Sequence, residues 1–130
     1  MSPREVVRSF YTALKRGDVP AVAGLLDENL TWTEAEGFPY FSGTWRSPQE
    51  VVAKLFVPLS TDWDDFRVEA DSFVSEGDTV VAFGAYHGVN RATGRKLHAP
   101  FAHLWHARDG RISSFTQYTD TLLVIKAMQQ

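Results

Sequence analysis

The 130-residue chain contains no cysteine. That excludes disulfides, thiolate nucleophiles and cysteine-type zinc sites, and it fits a reducing, cytoplasmic setting. No apolar run approaches the roughly 20 residues of a membrane span. No run of Lys or Arg is present either, and 13 basic residues against 16 acidic ones give a net charge of −3. Nucleic acid and anionic membrane therefore find no electrostatic footprint. The opening "MSPREVVRSFY" lacks the apolar core of a signal peptide, and there is no repeat, low-complexity segment or linker. What is present is ordinary globular material, 44% hydrophobic and 22% charged, in an amount that suits one domain over residues 1–130.

Helix signals come first along the chain. In "SPREVVRSFYTALKRGD", Ser2 and Glu5 form a capping box and Pro3 suits the first turn. Val6, Val7, Phe10, Tyr11 and Leu14 recur at helical spacing, and Gly17 is a natural C-terminal cap. Asp18 can cap a second helix burying Val22, Leu25 and Leu26. "LTWTE" reads as a strand. "SPQEVVAKLFVP" repeats the capping-box signature with Ser47 and Glu50, and Pro58 stands near its stop. The period then changes from 3.6 to 2. "FRVEADSFVS", "TVVAFGAYHGVN", "KLHAPFAHLWHA" and "RISSFTQYT" read as four strands joined by glycine-containing turns. Gly84 and Gly88 inside a strand imply bending or close backbone approach. "TLLVIKAM" reads as a closing helix.

Helices followed by a meandering sheet make an α+β domain. The order and five segments, "FYTALKRGD" (10–18), "LLDENLTWTE" (25–34), "SGTWRSPQEVV" (42–52), "APFAHLWHARDGRI" (99–112) and "FTQYTDT" (115–121), resemble the nuclear transport factor 2-like superfamily. That superfamily includes ketosteroid isomerases and SnoaL-like polyketide cyclases. The resemblance implies a cone-shaped, curved, antiparallel or mixed sheet wrapped around the N-terminal helices, enclosing a small-molecule pocket that works without a cofactor. It does not choose a reaction, because one fold hosts many.

The resemblance also implies roles for particular positions. In the isomerases a carboxylate near the end of the first strand is the general base, and the matching residue here is Glu34. The oxyanion donors, a tyrosine and a protonated aspartic acid, fall at Phe10 and Ala102, so both are absent, although Tyr11 neighbours the first. Similar cyclases and epoxide hydrolases use an aspartate at the end of the last strand, which corresponds to Asp120. The hydrolases' Arg and Asp on the second long strand are replaced near Tyr86 and His87.

The residues carry their own reading. "WTEAEGFPYFSGTW" (32–45) holds two acids among five aromatics. Trp32 and Glu34, two apart on one strand, share a face, and a carboxylate desolvated by aromatics gains a raised pKa suited to acid–base work. Glu36 reads as a rim residue. Tyr40 and Trp45 flank a glycine-containing loop and are candidate pocket wall or core. Alternation sends Gln117 inward and leaves Asp120 at the pocket mouth, or as the cap of the last helix.

The histidines do not read as a metal site. His98 and His106 would lie roughly 26 Å apart on one strand, and His103 points to the other face, where it reads as a partner in a polar network, either in the pocket or at a sheet interface. Counting back from "DGRI" puts Ala102 in the pocket, which sends Phe101, His103 and Trp105 to the open face. A face so apolar implies a sheet-to-sheet homodimer. Two function classes stay open. One is an enzyme acting on an apolar or polycyclic substrate by isomerisation, cyclisation, dehydration or hydrolysis. The other is a non-catalytic ligand-binding or dimerisation module.

Overall fold

The computed structural model describes residues 1–41 and 43–130. Ser42, the first residue of one of the five family segments, lies outside the described residues.

Helix α1 (Pro3–Arg16) starts on the expected capping box and ends at Gly17 with φ 67°. It buries Val6, Val7, Phe10, Tyr11 and Ala13, so one apolar face supplies the inner side of the roll. Asp18 caps α2 (Val19–Leu25) by accepting from the Ala21 N–H. Strand β1 (Leu26–Thr33) follows at once, starting earlier than the "LTWTE" pattern indicates. The two-residue strand β2 (Thr44–Trp45) then pairs Trp45 with Trp32.

The third helical segment runs past its expected stop. It comprises α3 (Pro48–Val51), a π-helical turn (Val52–Phe56) and α4 (Val57–Asp62). Pro58 has no N–H to continue an α ladder. The widened turn, in which the Val57 N–H reaches back to the Val52 carbonyl, precedes it and puts Pro58 in the first turn of α4, where a missing N–H costs nothing.

Four long strands complete the sheet: β3 (Trp63–Glu76), β4 (Thr79–Asn90), β5 (Lys96–Arg108) and β6 (Arg111–Thr119). The order is β2-β1-β6-β5-β4-β3. All pairs are antiparallel except β1 with β6, which run parallel, so the sheet is mixed. A Cβ on Gly84 would sit 1.9 Å from the Glu69 carbonyl oxygen, which explains the glycine inside β4 as close approach to β3. Helix α5 (Thr121–Met128) closes the chain.

Strand parity decides what faces the helices. On β5, Leu97, Ala99, Phe101, His103, Trp105 and Ala107 are buried. Ala102 pairs with Phe83 and Tyr118 across the outer face, where Phe83 and Tyr118 are 42% and 56% exposed. The expectation for Ala102 and for Phe101, His103 and Trp105 is therefore reversed. A one-residue error in counting from a turn moves a whole strand to the opposite face. Trp105, fully buried, belongs to the core and not to an outer interface.

Candidate functional site

Between α1, the π-containing helix and the sheet lies a cavity of about 40 Å³. That is room for a few ordered waters, against about 300–1,000 Å³ for common ligand pockets. A ring-sized ligand must displace part of the wall. Leu55, Phe56 and Leu59 of the π-containing helix form one side, facing Phe66 and Val68 of β3.

Glu34 sits directly after β1 and lines this cavity together with Trp32, Phe10 and Tyr11. Alternation at the end of β1 puts Trp32 and Glu34 on one face, as the sequence indicates. Both are 3% exposed. The Trp32 indole N–H donates to Glu34 Oε1 over 3.4 Å. Among the described residues, Glu34 Oε2 is buried without a hydrogen-bond partner. Burial pushes the Glu34 carboxyl up to about 8, against the smaller opposing effect of the Trp32 hydrogen bond. An orphaned buried carboxylate oxygen is costly, and protonation is the cheapest relief.

A continuous polar chain runs beside it. The Trp105 indole N–H donates to the Tyr11 hydroxyl over 2.9 Å. Tyr11 and His103 Nδ1 are hydrogen-bonded at 2.5 Å, and His103 Nε2 and the Tyr86 hydroxyl at 2.6 Å. Gln117 Nε2 donates to Tyr86 over 2.9 Å, while Gln117 Oε1 accepts from the Ala35 N–H over 3.1 Å. Because the Ala35 N–H needs an acceptor, the orientation of the Gln117 amide is settled. Burial pushes the His103 pKa well below its ordinary value, and burial, seconded by the charge of Glu34, pushes that of Tyr86 up. Tyr11 shifts upward by burial as well.

Six of the sequence-derived site residues thus converge: Phe10, Tyr11, Trp32, Glu34, Tyr86 and Gln117. Four do not. Ala102 is on the outer face. The Tyr40 hydroxyl is spent elsewhere, donating to Asp62 Oδ2 over 2.8 Å and accepting from the Trp63 indole over 2.9 Å. Trp45 is core beside β1. Asp120 is exposed and caps α5 by accepting from the Leu123 N–H over 3.4 Å, so it stands outside the cavity lining. Glu36 is exposed. Among the described residues, no three His, Asp or Glu side chains converge on a point where a metal ion would sit.

Sequence reasoning missed Trp105 as a cavity residue, and it read His103 as a polar-network partner without choosing between pocket and sheet interface; the network is there, on the cavity side. The signal was available. On β5 the large apolar residues Leu97, Phe101 and Trp105 share the parity of His103, and the small Ala102 shares that of the exposed His98. Hydrophobic parity outranks a count from a turn.

A curved mixed sheet, closed on one side by helices around an acid-containing aromatic cavity, defines a nuclear transport factor 2-like protein. The SnoaL-like domain model matches residues 7–115, and the chain belongs to that family. An NTF2-like protein from Burkholderia thailandensis E264 is 38% identical, with a TM-score of 0.95 over 100% of this chain and 99% of that one. IdmH, described as a putative polyketide cyclase from Streptomyces antibioticus, is 17% identical with a TM-score of 0.84, covering 98% of this chain and 99% of IdmH. TerC, co-crystallised with polyporic acid, is 20% identical with a TM-score of 0.86 over 98% of both chains. These last two show the fold alone. No curated protein matches the sequence.

Proposed function

We propose that the protein is a cofactor-independent acid–base enzyme acting on a small apolar or polycyclic molecule, with Glu34 as the proton-transfer group. One observation carries this reading: Glu34 Oε2 is buried, unpartnered among the described residues, and borders an aromatic cavity. A carboxyl held near 8 is mostly protonated at neutral pH and ionises just above it. It can therefore give or take a proton in the working range, and Oε1, held by Trp32, fixes its direction. Isomerisation, cyclisation, dehydration and hydrolysis all use such a group. Binding without turnover is the second reading, supported by the lack of a polar group at Phe10, the family's tyrosine donor position.

Titration of the Glu34 carboxyl by carbon NMR tests the assignment. The expected midpoint is about 8, and Glu34→Gln should abolish turnover. A midpoint near the free value of about 4.3, with Glu34→Gln behaving as wild type, would remove Glu34 from proton transfer.

The proposal extends to assembly. The outer sheet face carries Phe83, Tyr118 and Val74, exposed by 42%, 56% and 61%. Exposed apolar surface of this kind supports a homodimer formed through the open face. The absence of cysteine supports a cytoplasmic setting.

A further inference from the structure

The polar chain beside Glu34 holds more protons than it can use. Trp105 and Gln117 each donate one N–H inward, so the hydroxyl oxygens of Tyr11 and Tyr86 each already accept one bond. Between them stand two links, Tyr11 to His103 and His103 to Tyr86. Three protons compete for those two links: the two hydroxyl protons and the single N–H of a neutral imidazole. One proton is left over. Were the imidazole charged, two would be. In neither state does the chain satisfy itself.

The surplus has a preferred place. Tyr11 packs among Phe10, Phe73, Phe101 and Trp105 and, among the described residues, has no second acceptor there. Tyr86 feels the charge of Glu34. The tautomer that suits both surroundings has Tyr11 donating to His103 Nδ1 and His103 Nε2–H donating to Tyr86. The Tyr86 O–H is then free at the cavity that Glu34 also lines, where Glu34 Oε2 is buried without a partner among the described residues. No direct hydrogen bond joins the two, but both line the cavity, so an occupant that reaches both can satisfy them together.

We infer that Tyr86 and Glu34 form a subsite for the hydroxyl of an aromatic or enolic ligand, with His103 as the positioning residue that directs the Tyr86 proton into the cavity. A hydroxyl oxygen accepts from Tyr86 while its own proton is donated to Glu34 Oε2. A carbonyl can do only the first and an alkane neither. The aromatic lining supplied by Trp32, Phe10 and Phe115 takes the ring that carries the hydroxyl. The inference shares the cavity of the proposed enzyme and deepens it by naming the ligand class, but it needs no turnover. Loss of catalysis and loss of this subsite are separately visible.

Phenol is the smallest ring carrying the group, and anisole and toluene are its controls. Titrations of ¹⁵N-labelled protein should follow the indole N–H signals of Trp32 and Trp105, which end on Glu34 and Tyr11. At a pH of about 9, with Glu34 ionised, phenol should bind at least about tenfold tighter than toluene. Anisole, which accepts but cannot donate, should fall between them. Tyr86→Phe should reduce the phenol preference to within about threefold. The ¹⁵N shifts of the His103 ring should show a protonated Nε2 and a bare Nδ1. Equal affinities for phenol and toluene in the wild type would overturn the inference, since a retained water would then be the bridging group. Equal affinities for phenol and anisole would overturn the Glu34 arm. A protonated Nδ1 would overturn the assignment of the donor to Tyr86. The wild-type comparison and the His103 shifts stand even if Tyr86→Phe does not fold.

Discussion

Glu34 links site and stability through one side chain. Its carboxyl is held near 8 in the folded state, against about 4.3 in an unfolded chain. The folded form therefore binds the proton more tightly. The associated stability is fully present below the unfolded value and is lost as pH rises through about 8. The change is on the order of 5 kcal/mol. Glu34→Gln mimics the protonated state, so thermal melts from about pH 6.5 to about 8 should show a falling midpoint for wild type and a nearly flat one for the variant. His103 acts with the opposite sign. Its depressed folded pKa contributes stability above about 6.5 that is lost as pH falls. The acidic limb should therefore persist in Glu34→Gln. Much of this residue-scale picture was legible beforehand, because Trp32 and Glu34 two apart on a strand must share a face. The unpaired Oε2 was not, because its isolation depends on a cavity wall drawn from five strands and two helical segments.

Elements carry two further expectations. Asp120 read either as a second acid at the pocket mouth, by the family's pattern, or as the cap of the last helix, and in the fold it caps α5. Asp120→Ala should cost about 1 kcal/mol in urea unfolding and leave phenol binding unchanged. A loss of binding larger than the loss of stability would return Asp120 to the site. Gly84 is different in kind. Its missing side chain is what lets β4 approach the Glu69 carbonyl. The clash is with backbone, which cannot swing aside, so Gly84→Ala should destabilise by roughly 3 kcal/mol or more, measurable by chemical denaturation. The glycine pattern told of a close approach without naming its partner. Capping boxes and period changes marked most helices and strands well because they are local. The π-helical turn and the true start of β1 escaped because they answer to Pro58 and to sheet pairing, which act across the fold.

For the whole molecule, the proposed dimer rests on the outer face. Phe83→Glu should yield monomers by light scattering at micromolar concentration if the open face joins two copies. A wild type that is already monomeric would sink the homodimer. Trp105→Glu is no test of this interface, since Trp105 is buried in the core and its replacement would unfold the protein. The outer face was expected from the sheet's apolar character, but the wrong parity of β5 populated it with the wrong side chains. Only the partners across the sheet, Phe83 and Tyr118 flanking Ala102, identify which residues meet solvent.

The parallel pairing of β1 with β6 sets the order in which this protein comes into being. The hydrogen bond from Ala35 N–H to Gln117 spans 82 positions, so the acid and the amide beside it leave the ribosome far apart in time. The β3–β6 meander can form from near neighbours, whereas β1 must wait for the last strand before its inner edge is closed. Until then Glu34 is an ordinary wetted carboxyl with an ordinary affinity for protons. Proton uptake by Glu34 and closure of the sheet should therefore coincide in refolding, making a pH indicator in weakly buffered solution a clock for the final step of the chain's maturation.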